Sequence, residues 1–146
     1  MPDTQTVNRY ANSYAPEALG SGQGEKLHTP YVTFWREGDV ICGRFVENLH
    51  LSLSVAKAVV EARIEFSRGE NVPLLMEITG LRSTTRDARL YMASVGTILV
   101  RACAMITRSP VSRTLGNMFL IVDRPIKPAQ LFTSKRRAIE WLGNFR

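Results

Sequence analysis

The chain is poor in sulfur and histidine and has no long apolar run. Two cysteines and two histidines among 146 residues give neither a disulfide framework nor a metal-ligand spacing, so no metal or other cofactor is expected. The longest nearly apolar stretches fall far short of the ~20 residues that cross a bilayer. Met1-Pro2-Asp3-Thr4-Gln5 lacks the basic start and apolar core of a secretory signal. A cytoplasmic location without a membrane span is therefore expected, with Cys42 and Cys103 reduced and packed as small apolar side chains. A phosphate loop, a dinucleotide glycine pattern and a G-x-S-x-G elbow are also missing. Gly20-Ser21-Gly22-Gln23-Gly24 imitates part of a glycine loop, but no strand pattern precedes it. Glu77 has no catalytic companion nearby in sequence and is expected to pair with an arginine, while His28 and His50 read as polar surface. No enzyme is expected.

What is present describes one folded domain. Hydrophobic residues make up 45% and charged residues 22%, a globular balance. The net charge is +6, with −1 on residues 1–30 and +7 on the rest, and arginine supplies 15 of the 19 basic residues. Arginine's planar fork suits carboxylates, phosphates and interface ion pairs, so the balance favours an anionic partner. Residues 1–30 hold six Gly or Pro and no Ile, Phe, Trp or Cys. Such a stretch buries too little to offset its ordering entropy. It is expected to form a flexible N-terminal arm anchored at most by Tyr10, Tyr14 and Leu19, leaving residues 31–146 as the domain.

Within that domain, Tyr31 to Arg36 and Val40 to Val46 alternate around Glu37-Gly38-Asp39 and predict a β-hairpin. Ser52-Leu53-Ser54 opens a helix to about Ser67, with Leu53, Ala56, Val60 and Ile64 on one face and Gly69 as its stop. Val72 to Thr79 reads as a buried strand closed by Gly80. Near Ser83 a second helix starts: Thr84-x-x-Asp87 matches a capping box, and Ala88, Tyr91, Met92 and Val95 form the stripe. Leu99 to Thr107 is the next strand. Ser109-Pro110 opens a helix carrying Val111, Leu115, Met118, Phe119 and Val122, halted before Arg124-Pro125. Ala129 to Phe132 is a short last strand, and Thr133 or Ser134 caps a final helix bearing Ala138, Ile139, Trp141 and Leu142. The order β-β-α-β-α-β-α-β-α predicts an α/β fold with a mostly parallel sheet.

Three stretches carry a resemblance: Pro73 to Gly80, Ala102 to Arg113, and Gln130-Leu131-Phe132-Thr133 with Ala138-Ile139-Glu140-Trp141-Leu142. Over residues 31–145 the chain resembles an uncharacterised family of small bacterial proteins similar in fold to STAS domains, the anti-sigma-factor antagonists. The resemblance implies helices mainly on one sheet face, frequent dimerisation and a non-catalytic, regulatory or protein-interaction role. STAS domains of the sigma-regulating type carry a phosphorylatable serine at the start of the helix after the central strand. Ser83 and Thr84 occupy a comparable place here, but the aspartate and glycine of the usual Asp-Ser-Ser/Thr-Gly motif are absent.

Five readings of function follow. Ser83 and Thr84, with Arg82, Arg86 and Arg89, form a candidate phosphorylation or anion-binding site, because free amides and arginines at a helix N-terminus favour anions. Lys135, Arg136 and Arg137 oppose the dipole of the last helix and are candidates to meet an acidic protein partner. Tyr31 and Trp35 are candidates for a homodimer surface on a sheet face left uncovered. The alternative is a small anionic or lipid-like ligand beside the sheet, which a closed apolar cavity bordered by arginines would favour. Nucleic-acid binding through arginines 82, 86, 89, 101, 108 and 113 is the rival with least support, since no reading helix or stacking platform is evident.

Overall fold

The computed structural model describes residues 24–146, so most of the expected N-terminal arm, with Tyr10, Tyr14 and Leu19, lies outside the described residues. Within the stretch whose composition suggested a flexible arm, residues 26–28 are ordered as a strand. Lys26–His28 forms strand β1, which pairs antiparallel with the next strand and buries Leu27. The hairpin follows as β2 (Val32–Glu37) and β3 (Val40–Phe45), closed by a two-residue turn with Gly38 at φ 61°.

Leu49–Leu51 is a short strand, β4. Ser52 then caps α1 (Leu53–Phe66), its hydroxyl accepting from Val55 N. Strands β5 (Val72–Glu77) and β6 (Leu81–Thr84) precede α2 (Arg86–Ala93). After a 3-10 turn at Val95–Thr97 come β7 (Val100–Ile106) and α3 (Pro110–Met118). Ser109 caps α3 and proline opens it, as the sequence predicts. The helix widens into a π-helical turn, Phe119–Asp123, that ends at Arg124 in the left-handed region, φ 48°. Strand β8 (Ala129–Phe132) and α4 (Lys135–Leu142, capped by Ser134) complete the fold.

Six strands form one sheet in the order β1-β2-β3-β5-β7-β8. The first two pairings are antiparallel and those of β3, β5, β7 and β8 parallel. This is the expected α/β, mostly parallel architecture. Sequence reasoning omitted β4 and β6, which pair parallel as a second, two-stranded sheet. At three and four residues they are too short to display a period.

Each sheet face has its own core. On one, Phe34, Ile41, Leu74, Met76 and Met105 pack with Ala56, Val59 and Phe66 of α1 and Ala88 of α2. On the other, Cys42, Leu75, Ala102, Ala104 and Ile106 pack with Ala138 and Leu142 of α4. The face expected to lie open for a homodimer therefore carries α4. Strand alternation also fails at one point: a register shift opposite Val72/Pro73 sends Val100 and Met105 to the first core and Ala102 to the second.

Candidate functional site

The residues first expected to carry function do not converge. Ser83 and Thr84 lie in β6, before the helix rather than in its first turn. The α2 cap is Thr85, which accepts from Ala88 N and bonds Asp87. Thr84 Oγ1 donates to Leu51 O at 3.1 Å, fastening β6 to β4, and Ser83 Oγ lies 2.6 Å from His50 Nδ1. Arg82 and Arg86 are exposed, whereas Arg89 turns inward and places Nε 2.9 Å from Asp123 Oδ2. The three arginines thus do not share one anion site at the helix N-terminus.

The basic cluster on α4 meets acids of its own chain. Lys135 Nζ donates to Glu37 Oε2 at 2.6 Å and Arg136 to Glu140 at 2.8 Å. Arg137 is exposed. Partial burial alone would raise the Glu37 carboxyl, but hydrogen bonds from Lys135 and Trp35 outweigh it and hold the group below its ordinary range. Trp35 leans on the α4 core with its Nε1 bonded to Glu37 and the Arg44 guanidinium 5.0 Å above its ring. Tyr31, which precedes β2, packs against the opposite core. Glu77 pairs with Arg44 at 3.1 Å, as expected. His28 sits in β1 beside Thr33 Oγ1. Among the described residues no cluster of three His, Cys, Asp or Glu side chains could hold a metal ion, and no helix is long and apolar enough to cross a membrane.

Side chains do converge on a cavity of about 100 Å3 under the helices of the first layer. Its walls come from α1 (Val59, Val60), α2 (Met92), the sheet (Phe34, Leu74, Met76) and the α3–π-turn segment (Leu115, Phe119). The lining is almost wholly apolar; its polar groups come from Arg63, Arg89, Lys127, Thr84 and Cys103. Arg89 is held by Asp123, whose side chain is 2% exposed. The Lys127 ammonium donates to Thr97 O at 3.0 Å and Val100 O at 2.8 Å. Burial pushes the Cys103 thiol up to about 12, so it stays protonated at neutral pH.

Arg63 is the residue sequence reasoning missed. It is 2% exposed, on the same α1 stripe as Ala56, Val59 and Val60. Its Nη2 donates to Gly96 O at 3.0 Å, and Nη1 has no hydrogen-bond partner among the described residues. Burial pulls its pKa down to about 10. The signal was present in the chain: an arginine recurring at i+3, i+4 and i+7 from Val60, Val59 and Ala56 sits where an apolar residue belongs.

A hairpin leading into parallel strands, with three helices on one sheet face and a fourth on the other, makes a mixed α/β fold with a mostly parallel sheet. Among solved structures the chain is similar to an uncharacterised protein from the DUF3478 family with a SpoIIAA-like fold, from Shewanella loihica PV-4. The two are 16% identical, with a TM-score of 0.52 over 76% of this chain and 91% of that one. The chain itself belongs to the family of the domain of unknown function DUF7793, whose model matches residues 34–146. No curated protein matches it.

Proposed function

We propose that this STAS-like domain acts by binding rather than by catalysis, and that it takes a small apolar ligand into the cavity between the sheet and α1–α3. The observation that carries the reading is the cavity, about 100 Å3 and lined almost wholly by apolar side chains. The arginines in its lining match the anionic-ligand alternative of the sequence reading.

A regulatory role through protein contact has its own support. Phe119 lines the cavity, while Ile121 and Val122 of the same turn and Ile126 just beyond are 69%, 67% and 71% exposed. A turn with one side on the ligand and the other outward can report occupancy to a protein partner. The reading needs no homodimer. Its test is titration of the 15N-labelled chain with benzyl alcohol, a neutral single-ring probe. Amide shifts confined to Val60, Gly96, Cys103 and Gly116 support it, and an unchanged spectrum at millimolar probe sinks it.

A further inference from the structure

We infer that the ligand carries a single carboxylate and that Arg63 receives it; this rests on the cavity reading above and narrows its ligand class to compact apolar monocarboxylates. Buried guanidinium groups are ordinarily paired. This one has Nη1 without a partner among the described residues while Nη2 holds Gly96 O, and both Arg63 and Gly96 line the cavity. The ionisable groups that feel its charge, Tyr91 from α2 and Cys103 from β7, are both pushed up by burial. They are neutral at pH 7 and cannot compensate it.

The count of buried donors left without a partner selects the class of anion. Arg89 is paired with Asp123, and the Lys127 ammonium donates to two backbone carbonyls. Among the described residues lining the cavity, Arg63 carries the buried nitrogen that has no hydrogen-bond partner. One such nitrogen suits a carboxylate, which would gain a charge-assisted hydrogen bond. A phosphate would bring three acceptor oxygens to that one nitrogen. Volume sets the rest: about 100 Å3, below the ~150 Å3 of a cavity that takes benzene, limits the ligand to one ring or a short branched chain at most.

The test is calorimetric titration of the full chain, and of Arg63→Met, with three single-ring probes: benzyl alcohol, benzoate and phenyl phosphate. The wild-type chain is expected to bind benzoate at least tenfold more tightly than benzyl alcohol, and phenyl phosphate more weakly than benzoate. In Arg63→Met the benzoate preference is expected to vanish while benzyl alcohol affinity stays within about threefold. Equal affinity for benzoate and benzyl alcohol in the wild type overturns the carboxylate assignment and leaves the cavity reading standing. Preference for phenyl phosphate also overturns it, as does a benzoate preference that survives in Arg63→Met. Failure of all three probes to bind the wild type overturns both readings. The wild-type series decides the matter on its own if the variant does not fold.

Discussion

Removing the Arg63 charge should make the protein more stable. Burial pulls this guanidinium from the ordinary arginine range to about 10, and at about 1.4 kcal/mol per pH unit keeping it charged costs roughly 3 kcal/mol. Arg63→Met keeps an unbranched stem against Val59, Val60 and Cys103 and removes the charge. What is lost is the bond from Nη2 to Gly96 O, about 1–1.5 kcal/mol. The expected net gain is about 1–2 kcal/mol, or a rise of roughly 3–6 °C in Tm for a chain of this size. Urea denaturation at pH 7 reads it as a higher midpoint with an unchanged slope. The sign has a pH signature. The penalty is full below the folded pKa near 10 and falls away as pH rises from there toward the unfolded value. The advantage of Arg63→Met should therefore shrink through that alkaline window. A variant less stable than wild type by 1 kcal/mol or more would refute the reasoning, because it would make Arg63 a structural brace rather than a group held in readiness for an anion.

Lys135→Met tests the α4 rim. Glu37 titrates below its ordinary range, so the pair stabilises above that range and the contribution is lost as pH falls through the depressed value. With both side chains more than a third exposed, the gap from wild type should be about 0.5 kcal/mol in urea melts at pH 7 and should shrink as pH falls through the depressed Glu37 value. Gly80→Ala would put a Cβ 2.3 Å from Val46 O and 2.9 Å from Phe45 O. Neither backbone oxygen can withdraw cheaply, so a loss of about 2 kcal/mol or more is expected in the same assay. Cys103→Leu adds bulk to the cavity wall and should weaken benzyl alcohol binding more than tenfold by NMR titration, with stability changed by less than about 1.5 kcal/mol.

The chain's larger elements were legible because each carried a period and a stop. Ser52, Ser109 and Ser134 cap their helices, and Gly38 turns the hairpin, as their spacing implied. The Thr84-x-x-Asp87 reading missed by one residue, because Thr84 uses its hydroxyl on Leu51 O and leaves the cap to Thr85. β1 escaped because Leu27, its one buried residue, stands in a stretch of Gly, Pro and polar residues. The site was hidden for a different reason. Lining residues such as Phe34, Met92, Cys103 and Leu115 read as ordinary core, and the space between them is a tertiary property without a local pattern. Arg63 alone broke the rule of its stripe, and the expected face, read through Leu53 and Ile64, passed beside it.

The two layers of the molecule are packed to different standards, and that difference indicates where it acts. On the α4 side Trp141 lies between Phe132 and Phe145, with ring centroids 5.8 and 4.8 Å apart. Lys135–Glu37 and Arg146–Asp39 tie α4 and its C-terminal extension to the hairpin turn. This is stabilising construction. On the opposite side the wall is lined partly by small residues, Gly96, Gly116, Ala129 and Cys103, with a buried guanidinium left half-bonded. There α3 widens into a π-helical turn, a departure from regular helix that is frequent at functional sites. The end of that turn is clamped to α2 by the Arg89–Asp123 pair, whose rupture would strand a buried carboxylate at a cost of about 3–5 kcal/mol. A clamped turn with an apolar exterior and a cavity beneath it cannot relax independently of what the cavity holds. Ligand and partner, if both bind, must therefore be coupled through Phe119–Asp123.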